Sequence, residues 1–183
     1  MNASPEDLRR GFESLYEAVY DDLLRFVQRR CDPHRAEDVV AEAMLVAWRR
    51  VDQLPTELDQ ARAWTFGIAR NCLLAENRVA RRQDALSVRL AQTPPIHGGL
   101  HDGGDLIARR LDLARAWDGL RAGEQEVIAL NVLDGLDSRA AGAVLGISAD
   151  AYRLRLSRAR RVLRRRLEGA ATDDAPDYEE ASS

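Results

Sequence analysis

The chain of 183 residues is 45% apolar, enough for one medium core or two small ones. No apolar run is as long as a membrane span and the N-terminal MNASPEDLRRGF has no signal-type apolar stretch, so membrane insertion is not expected and a cytoplasmic location is. The net charge of −3 averages unlike segments: residues 1–85 hold 13 Arg against 15 acids, residues 109–169 hold 13 Arg against 8 acids, and residues 170–183 hold five acids and no base.

The first 85 residues read as helices. Phe12, Leu15, Tyr16, Val19, Leu23 and Phe26 recur at helical spacing over Asp7–Cys31. A turn at Asp32–Pro33–His34 precedes a second helix over Ala36–Val51, apolar at Val39, Val40, Ala43, Met44, Ala47 and Trp48. Pro55 breaks the pattern, and Ala61–Arg82 forms a third helical segment with Trp64, Ile68, Cys72 and Ala75 on its apolar side. Residues 86–108 change character: Pro94-Pro95, Gly98-Gly99 and Gly103-Gly104 mark a flexible linker. A second unit spans 109–169; its helical pattern begins near Ile107 and runs through Trp117 to Leu120, and Glu124–Leu133 is the next helix. The tail 170–183 is small, acidic and expected to be disordered. The fold expected is all-α: two small helical domains joined by a flexible linker.

Chemistry is sparse. Cys31 and Cys72 sit in helical patterns without metal-ligand spacing and read as reduced thiols. His97 and His101 lie in a Pro/Gly loop that cannot present both from one helix face. No nucleophile–base pair or phosphate-binding loop stands out, so neither an enzyme nor a cofactor nor a small-molecule substrate is expected.

The segment from Asp137 to Leu167 is more specific. Asp137 or Ser138 caps a short helix that ends at Gly146. Gly142 leaves room for a close helix approach, Ile147 plugs the turn, and Ser148 caps a second helix. That second helix has an apolar stripe of Tyr152, Leu156, Ala159, Leu163 and Leu167. Its other sides carry Arg153, Arg155, Arg158, Arg160, Arg161, Arg164, Arg165 and Arg166. A basic helix alone reads as a solvated face. A capped turn directly before it makes a helix-turn-helix, which points to DNA.

Three blocks then occur in order: AEDVVAEAMLVAWRR (36–50), ARAWTFGIARNCLL (61–74) and GEQEVIALNVLDGLDSRAAGAVLGISADAYRLRLSRARRVL (123–163). In these the chain resembles the bacterial RNA polymerase sigma factors of the extracytoplasmic-function group, the small type with only the second and fourth regions. The resemblance implies a promoter-specificity subunit whose partners are core RNA polymerase, promoter DNA and an anti-sigma factor. It implies polymerase docking by the helix at 36–50, through Glu37, Asp38, Val39, Glu42, Leu45 and Val46. It places reading and opening of the −10 element on Arg62, Trp64, Arg70 and Asn71, followed by the basic Arg78, Arg81 and Arg82. It places reading of the −35 element on Ala149, Asp150, Arg153, Leu154 and Arg155, with Arg158, Arg161 and Arg165 towards phosphates. The chain departs from the common pattern at Leu154, Ser157 and Arg121, where serine, histidine and proline are usual, and at Ala75. Two other readings compete: a stand-alone helix-turn-helix regulator, and a sigma-like decoy that sequesters a partner protein.

Overall fold

The computed structural model describes residues 4–80, 86–90 and 103–173. The described residues are helical apart from turns and the short non-helical stretch 86–90, and no strand occurs among them.

Helix α1 spans Pro5–Gln28. Its start is fixed by a reciprocal cap in which the Asp7 amide donates to Ser4 Oγ and the Ser4 amide donates to the Asp7 carboxylate, both at 3.2 Å. Asp32 then accepts from the His34 amide at 3.0 Å and turns the chain into α2, Ala36–Arg49. Helix α3 spans Leu58–Ala80. These three helices pack on one another around Val19, Leu23, Phe26, Val40, Ala43, Phe66 and Leu73, all buried.

The second unit contains α4 (Gly103–Asp118), α5 (Ala122–Val132), α6 (Ser138–Leu145) and α7 (Ala149–Asp173). Helix α4 starts within the stretch read from sequence as linker, and α7 continues past Gly169 into the stretch read as tail. Trp117, Leu120, Val127, Ile128, Leu130, Tyr152, Leu156 and Ala159 form its core.

The two units share one continuous apolar cluster. Helix α3 packs against α6 closely enough that a Cβ on Gly67 would lie 3.9 Å from Val144 Cα. The stretch 86–90 is held between them. Leu86 and Val88 are each 2% exposed. Trp117 Nε1 donates to the Val88 carbonyl at 2.7 Å, the Val88 amide donates to Gln125 Oε1 at 3.1 Å, and the Arg89 amide donates to the Arg29 carbonyl at 2.9 Å. One short peptide therefore satisfies backbone groups on both sides.

Candidate nucleic-acid interface

The helix-turn-helix is built as the sequence spacing predicts. Asp137 caps α6, its carboxylate accepting from the Ala140 amide at 2.7 Å. Gly146 ends α6 in the left-handed conformation, φ +67°. The Ile147 amide donates to the Gly142 carbonyl at 2.9 Å, and Ser148 Oγ accepts from the Ala151 amide at 3.1 Å to start α7. A side chain on Gly142 would meet the Ile147 carbonyl oxygen at 2.8 Å, so the turn closes only over a glycine.

Helix α7 has two faces. Tyr152, Leu156 and Ala159 are buried and Leu163 and Leu167 half-buried. The Tyr152 hydroxyl donates to the Val127 carbonyl at 2.7 Å and ties α7 to α5. Of the residues read as −35 contacts, Asp150, Arg153, Leu154, Arg155, Arg158, Arg161 and Arg165 are exposed, and Ala149 is half-buried. Asp150 and Arg153 pair with each other. Arg160, outside that set, donates to Asn131 Oδ1 at 2.7 Å and braces α7 on α5.

The residues read as −10 contacts have other partners. Arg62 Nη2 lies 2.8 Å from Asp22 Oδ2 and also donates to the Asp134 carbonyl at 2.8 Å. The Asp22 carboxyl is pushed up by burial but ends below the usual carboxylate range, because the Arg25 hydrogen bond and the Arg62 charge outweigh that burial. Arg70 grips the Glu126 carboxylate with two bonds, Nε to Oε1 at 2.7 Å and Nη2 to Oε2 at 3.0 Å. Trp64, whose side chain reads from sequence as core or stacking platform, is half-buried. With the exposed Asn71 it lines a cleft of about 780 Å³, whose far wall is Leu136, Arg139, Ala140 and Ala143 at and before α6. Arg78 lies on α3, while Arg81, Arg82, His97 and His101 fall outside the described residues.

On α2, Glu37, Asp38, Glu42 and Leu45 are exposed and Val46 is half-buried. Val39 corrects the sequence reading: it is 1% exposed, a core residue that no partner can touch. Trp48, grouped from sequence with the apolar positions of this helix, is 42% exposed and meets Phe12 edge-on at 5.1 Å. It falls three positions after Leu45, so the outer face of α2 grades from acids at its N-terminal end to Leu45 and Trp48 at the other. Its spacing from Leu45, off the Val40/Ala43/Ala47 side, is the signal for it.

Sequence reasoning missed a cluster at the junction of the units. Asp134, in the turn after α5, is 3% exposed and receives both Arg29 and Arg30. Arg30 Nη2 is 2.5 Å from Asp134 Oδ2, and its Nη1 donates to the Phe26 carbonyl at 2.8 Å. The Arg30 guanidinium lies 3.7 Å from the Phe26 ring centroid, Phe26 stacks on Phe66 at 4.7 Å, and Arg62 lies 5.0 Å from the Phe66 centroid. Burial pulls the Arg30 pKa down while Asp134 opposes it.

Comparison with known proteins places this arrangement. The Sigma-70 region 2 family model matches residues 15–83. The chain is 32% identical over 157 residues to ECF RNA polymerase sigma factor SigL of Mycobacterium tuberculosis, spanning 82% of this chain and 88% of SigL. RNA polymerase sigma factor CnrH of Cupriavidus metallidurans is 32% identical over 132 residues, 68% of this chain and 69% of CnrH. The structure of CnrH in complex with the cytosolic domain of CnrY superposes with a TM-score of 0.56 at 26% identity, covering 88% of this chain and 90% of that one. The sigma factor RpoE co-crystallised with the anti-sigma factor NepR from Bartonella quintana has the same fold, with a TM-score of 0.58 at 24% identity, covering 85% and 95%.

Proposed function

The chain belongs to the extracytoplasmic-function group of sigma-70 RNA polymerase sigma factors, which direct the polymerase to promoters and leave the chemistry to it, and we propose how its surfaces divide that work. The outer face of α2, with Glu37, Asp38, Glu42, Leu45 and Val46, docks on core polymerase, and Trp48 extends the same face. A basic helix on the partner satisfies both its acidic and its apolar ends. Helix α3 reads the −10 element with Arg62, Trp64, Arg70 and Asn71, continued by Arg78, Arg81 and Arg82. Melting a duplex calls for planar groups to stack on an unpaired base and cations for its backbone, and these residues supply both.

Helices α6 and α7 read the −35 element. The first turns of α7, with Ala149, Asp150, Arg153, Leu154 and Arg155, enter the major groove, and Arg158, Arg161 and Arg165 follow the phosphates. The observation that carries this reading is the two-sidedness of α7: its apolar side packs on α4, α5 and α6 while most of its arginines are exposed. The protein acts in the cytoplasm, and no helix among the described residues is long and apolar enough to cross a membrane. CnrH is solved with the cytosolic domain of CnrY and RpoE with the anti-sigma factor NepR, and an anti-sigma partner belongs to the proposal as well.

Run-off transcription from a pool of genomic promoters, with core polymerase and with or without this protein, tests the reading. New start sites that require the protein, with both elements upstream, are the expected result. Operator binding without polymerase and without new transcripts would instead favour a stand-alone regulator. Silence in both assays favours a decoy.

A further inference from the structure

Two of the residues proposed to read the −10 element, Arg62 and Arg70, are occupied by the other half of the same chain. Arg70 is held in two bonds by Glu126, and Arg62 donates to the Asp134 carbonyl. Arg29 and Arg30, which no promoter role claims, converge on the Asp134 carboxylate. The Nε atoms of Arg29, Arg30 and Arg62 are buried and make no hydrogen bond, so donors remain after Asp134 has taken its share. Trp64 and Asn71 face a cleft walled by α6. Helix α6 is the one that crosses the duplex backbone in a helix-turn-helix, and here it lies under α3.

The geometry points to a nucleic-acid phosphate site made of Arg29, Arg30, Arg62 and Arg70: when the two helical units are closed on each other, the Asp134 and Glu126 carboxylates hold Arg29, Arg30 and Arg70 in place of phosphates, and Arg62, paired with Asp22 of its own unit, gives its remaining bond to the Asp134 carbonyl. This rests on the proposed promoter reading and extends it to Arg29 and Arg30. Carboxylate and phosphodiester present the same chemistry to a guanidinium, paired anionic oxygens that accept a fork of N–H donors. The closed chain cannot hold a promoter. Elements at −10 and −35 are separated by about 25 base pairs, on the order of 85 Å along B-DNA, while α3 and α6 touch at Gly67 and Val144. Opening is therefore obligatory, and it unmasks the arginines as it separates the units.

The acids are also the point at which closure can be released. A buried ion pair adds little net stability, but removing one partner strands the other charge. Replacing Asp134 strands Arg30 only while the units are together. Once they part, Arg30 sits at the end of α1 and can reach water. The penalty thus falls on closure and spares the fold of each unit.

The test uses the full chain carrying Asp134→Asn and Glu126→Gln, without polymerase. Small-angle scattering reads the radius of gyration, and fluorescence anisotropy reads binding of a labelled single-stranded oligonucleotide of mixed sequence. We expect unchanged helix content by circular dichroism, an enlarged radius and affinity at least about tenfold above wild type, as for a site freed from a rarely open population. Adding Arg29→Gln and Arg30→Gln should take the gain back. Equal radius and equal affinity overturn the proposal, and so does a gain that survives loss of Arg29 and Arg30.

A disulfide lock gives the converse test if the acid variant fails to fold. With Cys31→Ser and Cys72→Ala, cysteine pairs screened across the α3–α6 contact around Gly67 and Val144 supply the bond. The oxidised chain should neither bind the oligonucleotide nor support run-off transcription, and reductant should restore both. Activity in the oxidised state overturns the proposal. Arg62→Ala and Arg70→Ala in run-off transcription separate the two readings. If they are harmless, the −10 assignment itself fails. If they abolish transcripts while the acid variant behaves as wild type, only the masking fails.

Discussion

At Gly142 the packing is decided by one hydrogen atom. The Ile147 carbonyl oxygen stands 2.8 Å from where a Cβ would be, and that oxygen is backbone within a turn already fixed by Gly146. Gly142→Ala should destabilise the chain by about 1–3 kcal/mol through forced backbone displacement, read as a lower melting temperature, and should weaken duplex binding because α6 and α7 no longer meet at their angle. Tyr152 is the opposite case, a polar group in the core that is fully used. Burial pushes its hydroxyl up to about 12, and the neutral form donates to the Val127 carbonyl. Its contribution to stability is complete below the ordinary tyrosine value of 10.0 and is lost as the pH rises from there to about 12. Tyr152→Phe should cost about 1 kcal/mol at neutral pH and remove that part of the alkaline loss, measurable by denaturant unfolding at a series of pH values. Gly142, Gly146, Ser148 and Tyr152 were all legible in the sequence, because caps, turn glycines and helical stripes are local signals. Arg30 was not. A fully buried arginine is uncommon, and its partner Asp134 lies 104 positions away, a separation that no periodicity records.

Elements differ in how well their faces can be read. Helix α7 packs on one side and its stripe is plain. Arg155→Ala should cost about 1–3 kcal/mol at one promoter position if it reads a base, while Arg165→Ala should weaken all duplexes alike and flatten the salt dependence. Competition binding against single-base variants of the promoter, at several salt concentrations, distinguishes them. Helix α3 is harder. It is packed on α1 and α2 by Thr65, Phe66, Ala69 and Leu73, and its Gly67 meets Val144 of α6. Packing on two sides blurs the period, which is why Trp64 and Ala75 were placed on its apolar side although Ala75 is exposed. Helix α2 shows a third situation, since an acidic and apolar outer face can only be recognised once the inner one is known. Asp38→Arg should abolish co-purification with core polymerase and leave the free energy of unfolding within about 0.5 kcal/mol of wild type. Retention of the polymerase by that variant would place docking elsewhere.

For the molecule as a whole, the division into two helical units follows from composition, but their contact does not. It joins charges of opposite sign that are scattered through both halves, and the net charge of each half conceals them. Because the Arg30 and Asp134 side chains are fully buried, salt reaches them poorly. The radius of gyration of the free chain should therefore be the same at about 0.1 M and about 1 M salt, whereas exposed pairs such as Arg9 with Glu13 are screened over that range. Small-angle scattering at the two concentrations checks this, and expansion at high salt would mean that surface charges hold the units together.

The indole of Trp117 gives the protein its own optical probe. It is 3% exposed, and its nitrogen is bonded to the Val88 carbonyl in the stretch pinned between the units. If Val88 leaves with α1 when the units part, the indole gains water and its emission moves to longer wavelength. If Val88 stays with α4 and α5, the emission of Trp117 holds and only Trp64, in the cleft, changes its surroundings. The size of the shift in the spectrum thus tells which half keeps the connecting stretch 86–90, with no label attached.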